Sequence, residues 1–347
     1  MMKVLKRAPT MTNNPHHVIL LSFAHGSLRF AAIFLLTACF PLLAQESRSN
    51  PVPVIFDTDI MGDVDDVGAV AVLHALADRG EVRILAMGVS SKHDKSPLCL
   101  SALNLYFRRG DLPIGRPQGD AFLRDSKYNA QIAAEFPHRL SSARDAPTAP
   151  ELYRQVLARA PDHSVVMISV GQLTNFRDLL YTLPDRHSPL SGPDLVAKKV
   201  RLWVCMGGKF PRGKEANLFH DGPAAADAIA HWPTPIVFSG FEIGVRIKTG
   251  GKLASLPKRS PVRRAYELYN GARPHFSWDQ TAVLYAARPN SQHWRCSEPG
   301  ICHVFPDGTN QWIAREDGKH RYLIQQTEPA ETAKTIESLM LHQPAQP

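Results

Sequence analysis

Asp57, Asp59, Asp63, Asp65 and Asp66 crowd one short stretch of a 347-residue chain. Carboxylates that close together repel one another strongly unless a cation sits among them. Aspartate and backbone oxygens, without thiolate or imidazole, suit a hard ion, and Ca2+ tolerates the irregular geometry of a loop better than Mg2+ does. The competing reading is local. Aspartate is a common helix N-cap, so Asp65 or Asp66 could cap the helix that follows while Gly62 and Asp63 make the turn. Capping needs one aspartate, however, not five.

The flanking residues define what positions this cluster. A β-branched and aromatic run over residues 54–56 reads as a strand, and the alanine- and valine-rich run over residues 67–77 is long enough for a helix. The carboxylates therefore sit at a strand-to-helix corner, and in an open α/β sheet ligands bind outside the carboxyl ends of the strands. Further strands are expected over residues 82–89, 112–116, 163–170, 200–205 and 235–239, with helices between them. The expected fold is an α/β domain with an open, mostly parallel twisted sheet flanked by helices and a small C-terminal hairpin over residues 301–314.

Polar segments recur at the same ends of these strands. Ser90, Ser91, Lys92, His93 and Asp94 follow the second strand, with His93 a candidate for substrate contact. Gly171, Gln172, Leu173, Thr174 and Asn175 follow a later one, where Thr174 is expected to cap the next helix. Met206 leads into Gly207 and Gly208, which let the backbone approach a ligand. Glu215 and Asn217 then offer one acceptor-only group and one amide, the pair best suited to reading a vicinal diol. Glu242 follows the strand over residues 235–239 and either contacts substrate or starts a helix. Trp278 and Asp279, within residues 276–284, form the last candidate site element, and Trp278 could stack on a base or sugar face.

Asp57-Thr58-Asp59, Gly62, Asp65-Asp66, the Gly171 to Asn175 turn, Glu215 with Asn217, and Asp279 together resemble the inosine–uridine-preferring nucleoside hydrolase family, in its branch with the longer first loop. That resemblance implies calcium-dependent hydrolysis of the N-glycosidic bond of a ribonucleoside. It implies Asp59, Asp65, Asp66, Asp279 and the Val170 carbonyl as metal ligands, Asp59 also as general base, and Glu215 and Asn217 on the ribose hydroxyls. The chain departs from the pattern in three places. His93 stands where the family supplies an asparagine, Trp278 where it supplies a histidine, and residues 209–214 hold no asparagine. Lys209, Arg212 or Lys214 in that last segment could instead favour an anionic substrate or product.

Composition sets the remaining expectations. Residues 1–44 read as a leader: the apolar run over residues 31–44 is broken by Pro41 and too short for a comfortable membrane span. The protein is therefore expected to be exported, periplasmic or extracellular. Leu36-Thr37-Ala38-Cys39 also resembles a lipoprotein cleavage box, which would anchor the chain at Cys39, although the residues after it stay apolar. Residues 45–347 suffice for one large domain. The net charge of +8 includes the leader and is scattered rather than striped, so nucleic-acid binding is not supported. Cys296 and Cys302 could close a small disulfide loop, while Cys99 and Cys205 read as buried thiols. Association into a homo-oligomer is left open. Two other functions compete: an exported nucleoside- or ribose-binding protein without turnover, and a Mg2+-dependent phosphatase with Asp57 as nucleophile.

Overall fold

The computed structural model describes residues 50–344. The leader and Cys39 lie outside the described residues. The strands are β1 (Val52–Thr58), β2 (Val82–Val89), β3 (Ile114–Gly115), β4 (Val165–Ser169), β5 (Val200–Met206), β6 (Arg212–Lys214), β7 (Ile236–Ser239), β8 (Lys248–Thr249), β9 (His275–Phe276), β10 (Trp294–Cys296), β11 (Gly300–Val304), β12 (Thr309–Ala314) and β13 (His320–Gln325). The main sheet runs β3-β2-β1-β4-β5-β7-β13-β11-β12-β6. From β3 to β13 neighbours are parallel, and β11, β12 and β6 continue the sheet antiparallel. The chain leaves β1 for β2 on one side and later returns to β4 on the other. The crevice beyond β1 and β4 is thus a topological switch point, where such sheets bind ligands.

Strand alternation feeds two cores. Val54 and Phe56 of β1, Val166 and Ile168 of β4, and Val204 of β5 face one layer; Ile55, Val165, Met167, Trp203 and Cys205 face the other. The first layer is covered by the helices Asp65–Asp78, Ser96–Tyr106, Pro261–Asn270, Trp278–Ala287 and Pro329–Met340. Helices Ala149–Arg159, Thr174–Leu180, Gly192–Lys199 and Gly222–His231 cover the second. Asp65–Asp78 and Trp278–Ala287 are buried along almost their whole length. An apolar surface on every side suits a helix enclosed by others rather than one lying at the solvent face. Gly68 permits their close approach, because a Cβ there would press on the Tyr266 hydroxyl and the Gln280 amide.

Several expectations need correction. The C-terminal hairpin is not an appendage: β11 pairs with β12 and, through β13 and β6, belongs to the main sheet. Cys296 and Cys302 are free thiols. The Cys302 side chain is buried in the second core, whereas Cys296 meets the Tyr285 hydroxyl at 3.2 Å. Thr174 does not cap its helix; its hydroxyl donates to the Asp221 carboxylate at 2.5 Å. Among the described residues no helix is long and apolar enough to cross a membrane.

Gly88 sits where β2 passes the Tyr153 hydroxyl, and an added Cβ would fall inside that oxygen. Gly88→Ala is expected to destabilise the fold by about 1–3 kcal/mol through overpacking. The check is a urea titration: the midpoint should drop with an unchanged slope, and an unchanged midpoint would refute this packing.

Candidate functional site

The acidic corner is built from two helix N-termini. Helix Asp65–Asp78 starts after Val64 without any side-chain cap, so neither Asp65 nor Asp66 serves that local role. Asp65 instead reaches the start of helix Trp278–Ala287, where its Oδ2 accepts the backbone N–H groups of Trp278 at 3.0 Å and Asp279 at 3.2 Å. Thr58 donates its hydroxyl to Asp66 and accepts the Ile60 N–H at 3.1 Å. The loop between is fixed by its Ile60 carbonyl, which accepts from Ser96 Oγ at 2.7 Å and Asn129 Nδ2 at 2.8 Å. Oriented backbone donors and helix dipoles thus face the carboxylates, which partly offsets their charge.

That offset is incomplete. Carboxylate oxygens of Asp65, Asp66 and Asp279 all lie within 4.8 Å of one another, and the three residues are only 3%, 2% and 4% exposed. Burial first, and then the charges of the neighbouring aspartates, push all three well above the usual carboxylate range. Asp59 is raised to about 6, chiefly by burial, with an opposing hydrogen bond from Gln172 Nε2 at 2.8 Å. Three buried oxygen donors that destabilise one another are a fitting set for a hard divalent cation. Asp63 is different. Burial raises it, but His275, whose Nε2 lies 2.6 Å from Oδ1, outweighs that effect and holds it low.

Above the carboxylates opens a cavity of about 240 Å³. Asp59, Asp65, Asp66, Val170, Met206, Glu215, Asn217, Trp278 and Asp279 all line it, so residues spread over four stretches of sequence meet there. Glu215 is buried and caps the short helix Ala216–Phe219, accepting the N–H groups of Asn217 at 2.9 Å and Leu218 at 3.4 Å, and that of Gly208 at 3.0 Å. Burial lifts it to about 7 against those three bonds. Asn217 Nδ2 donates to the Met206 carbonyl at 3.2 Å, which holds the amide over the end of β5. Trp278 stacks on Phe241, and its indole N–H is spent on the Phe241 carbonyl at 2.9 Å.

Two candidates lie elsewhere. His93 lines a separate cavity with Lys92, Arg116 and Arg144. The loop turns outward there because the Lys92 N–H bonds the Phe122 carbonyl and its ammonium pairs with Asp120. Asp57 is fully buried, held by the Tyr153 hydroxyl and by Asn175 Nδ2 at 2.8 Å, and burial lifts it to about 7. It does not line the cavity, so it is not placed to attack a phosphate ester. Glu242 lies in the short helix Phe241–Gly244 and accepts the Phe210 N–H at 3.1 Å. Conversely, Arg124, His220 and Phe241 line the cavity without any sequence expectation, and Gln172 gains a role on Asp59. Arg124 comes from a turn-rich segment with no periodicity to mark it.

No family model matches the chain, and no curated protein matches it. Its fold is similar to solved structures. The inosine–uridine-preferring nucleoside hydrolase of Bacillus anthracis aligns with a TM-score of 0.65 at 14% identity, covering 84% of this chain and 99% of that one. The purine-preferring ribonucleoside hydrolase of Gardnerella vaginalis aligns with a TM-score of 0.65 at 16% identity, over 83% and 99%. The type III effector protein XopQ, solved with adenosine diphosphate ribose, aligns with a TM-score of 0.63 at 14% identity, over 84% and 94%. At these identities the likeness establishes a common fold, that of the nucleoside hydrolases.

The carboxylate cluster predicts a linked response to pH and metal. A carboxylate whose folded pKa is raised contributes stability below its unfolded value near 4, and that contribution is lost as pH rises through the folded value. Metal-free Asp279→Asn should therefore melt higher than the metal-free parent at pH 8, by an amount that shrinks as the solution is acidified. Ca2+ should raise the melting temperature of the parent and not of the variant. Scanning fluorimetry with and without chelator checks both, and equal Ca2+ shifts in the two proteins would contradict the assignment.

Proposed function

We propose that this chain is an exported, calcium-dependent N-glycosyl hydrolase acting on ribonucleosides or related ribosides. The observation that carries the proposal is the convergence of Asp65 and Asp66 with Asp279, from opposite ends of the sequence, beneath a cavity that also holds Asp59, Glu215 and Asn217. The nucleoside hydrolase fold supports the same reading. Asp59, Asp65, Asp66, Asp279 and the Val170 carbonyl would hold the ion. When bound, such an ion would supply Lewis-acid activation of a water and an anchor for the sugar diol.

The chain's own groups then have distinct tasks. Glu215, fixed by three backbone N–H groups, and Asn217, fixed on Met206, hold the ribose hydroxyls and so the orientation of the anomeric carbon. Asp59 has a carboxylate ionised at neutral pH yet basic enough to take the proton of the attacking water, and Gln172 aims it. The C–O bond forms at the anomeric carbon as the C–N bond breaks, and the leaving nitrogen must gain a proton. Trp278 does not supply that proton, because its only N–H is already donated to Phe241.

That same feature favours a second reading, a riboside-binding protein without turnover. The two are separated by incubating the protein with inosine and uridine, with and without chelator. Release of free base that stops on chelation is the expected result, whereas saturable binding without release supports the second reading. Asp59→Asn is expected to lower kcat by about 10²–10⁴-fold, in line with loss of a general base, while the melting temperature does not fall. Full activity in that variant would overturn the role given to Asp59.

A further inference from the structure

We propose that the cavity is built for a riboside bearing a phosphate group. This rests on the hydrolase fold's cavity being a riboside site, and it names the class of riboside. The cavity carries charges of both signs in its lining. Its floor is the buried cluster of Asp65, Asp66 and Asp279, and its exposed lining includes Arg124 and Lys214. Among the described residues neither cation has a carboxylate within ion-pairing distance.

Arg124 is nonetheless held inward. Its side chain lies across Gly62, where an added Cβ would stand 2.6 Å from Cζ, so the glycine is what leaves room for the guanidinium. The backbone N–H of Arg124 meets Met61 Sδ at 3.1 Å, yet its guanidinium donates to no described protein atom. The segment carrying it is tied to the opposite wall by the Phe122 ring, stacked on His220 with centroids 3.9 Å apart and planes 6° off parallel. That wall also carries Lys214, whose Nζ lies 4.4 Å from the centre of the Phe219 ring. His220 itself lines the cavity with a buried Nδ1 that has no partner. Two segments remote in sequence are thus clasped so that an arginine and a lysine line one opening.

A neutral nucleoside offers these cations only uncharged acceptors on its base and sugar. Nor do the cations simply neutralise the floor, since they form no pairs with it. A phosphate satisfies them: guanidinium matches two phosphate oxygens bidentately, and lysine adds a point charge. Because neither cation is tied to a carboxylate by an ion pair, both are free to meet an anion on a ligand whose diol lies on the metal side.

The test is calorimetric titration of the full protein, in Ca2+, with ribose 5-phosphate and with ribose, beside turnover assays on inosine and inosine 5′-monophosphate. Ribose 5-phosphate is expected to bind about tenfold or more tightly than ribose, a gap that charge-assisted contacts readily supply. Arg124→Ala and Lys214→Ala should each narrow that gap, and both residues are exposed enough for the variants to fold. Equal binding of the two sugars, or no binding of ribose 5-phosphate, overturns this inference. If base release from inosine persists in that case, the hydrolase proposal stands. A clear phosphate preference without base release from either substrate leaves this inference standing and defeats the hydrolase proposal.

Discussion

Repulsion among buried carboxylates is the constraint on which this structure turns. Two unit charges about 4 Å apart cost each other about 4 kcal/mol at the effective dielectric of a protein, so Asp65, Asp66 and Asp279, whose oxygens lie within 4.8 Å of one another, resist ionising together. The fold answers with what it has. Helix Trp278–Ala287 offers its first backbone N–H groups to Asp65, and Thr58 offers its hydroxyl to Asp66. The two helices that bear the cluster are also among the most enclosed, so their N-termini cannot drift apart to relieve the strain. A rigid apolar frame that forces like charges together is poor design for stability alone. It is good design for gripping a cation.

The position of that grip follows from topology. At the end of β1 the alternation of the strand sends Asp57 into the second core side, where Tyr153 and Asn175 seal it, while Asp59 lies beyond the last strand residue and faces the cavity. Two aspartates one residue apart thereby acquire different chemistry. Asp57 is an internal strut that accepts from the Tyr153 hydroxyl and the Asn175 amide. Asp59 is raised only to about 6 and faces the ligand space. Val170, one residue past β4, lines the cavity with Asp59, and its N–H on the Asp57 carbonyl locks the two strand ends together. The opposite wall arises where the chain leaves β5 and β6, so that Glu215 and Asn217 are set by their own backbone bonds before any ligand arrives.

Much of this was legible in the sequence. The β-branched runs declared β1, β2, β4, β5 and β7, the alanine- and valine-rich run over residues 67–77 declared the first enclosed helix, and the carboxylate crowding at a strand-to-helix corner marked the site. Glu215, Asn217 and Asp279 were recoverable through the resemblance to the nucleoside hydrolases, the first two also because an acceptor paired with an amide suits a diol. What escaped had no local signature. β13 has a core of only Tyr322, Leu323 and Ile324, and its insertion between β7 and β11 is a pairing across long sequence separation. Arg124 lies in a turn-rich segment where no period operates, and its inward course depends on Gly62. His93 was misplaced because proximity to a strand end does not fix the direction of a loop, which here is set by bonds from Lys92 to Phe122 and Asp120.

The account stands or falls on one ion joining the two ends of the chain. Crystals grown with Mn2+ in place of Ca2+ and measured at the manganese absorption edge would locate it directly. The prediction is a single anomalous peak bonded to carboxylate oxygens of Asp65, Asp66 and Asp279 together. A cavity floor without a peak, or a peak held by residues of only one of the two helices, would contradict it.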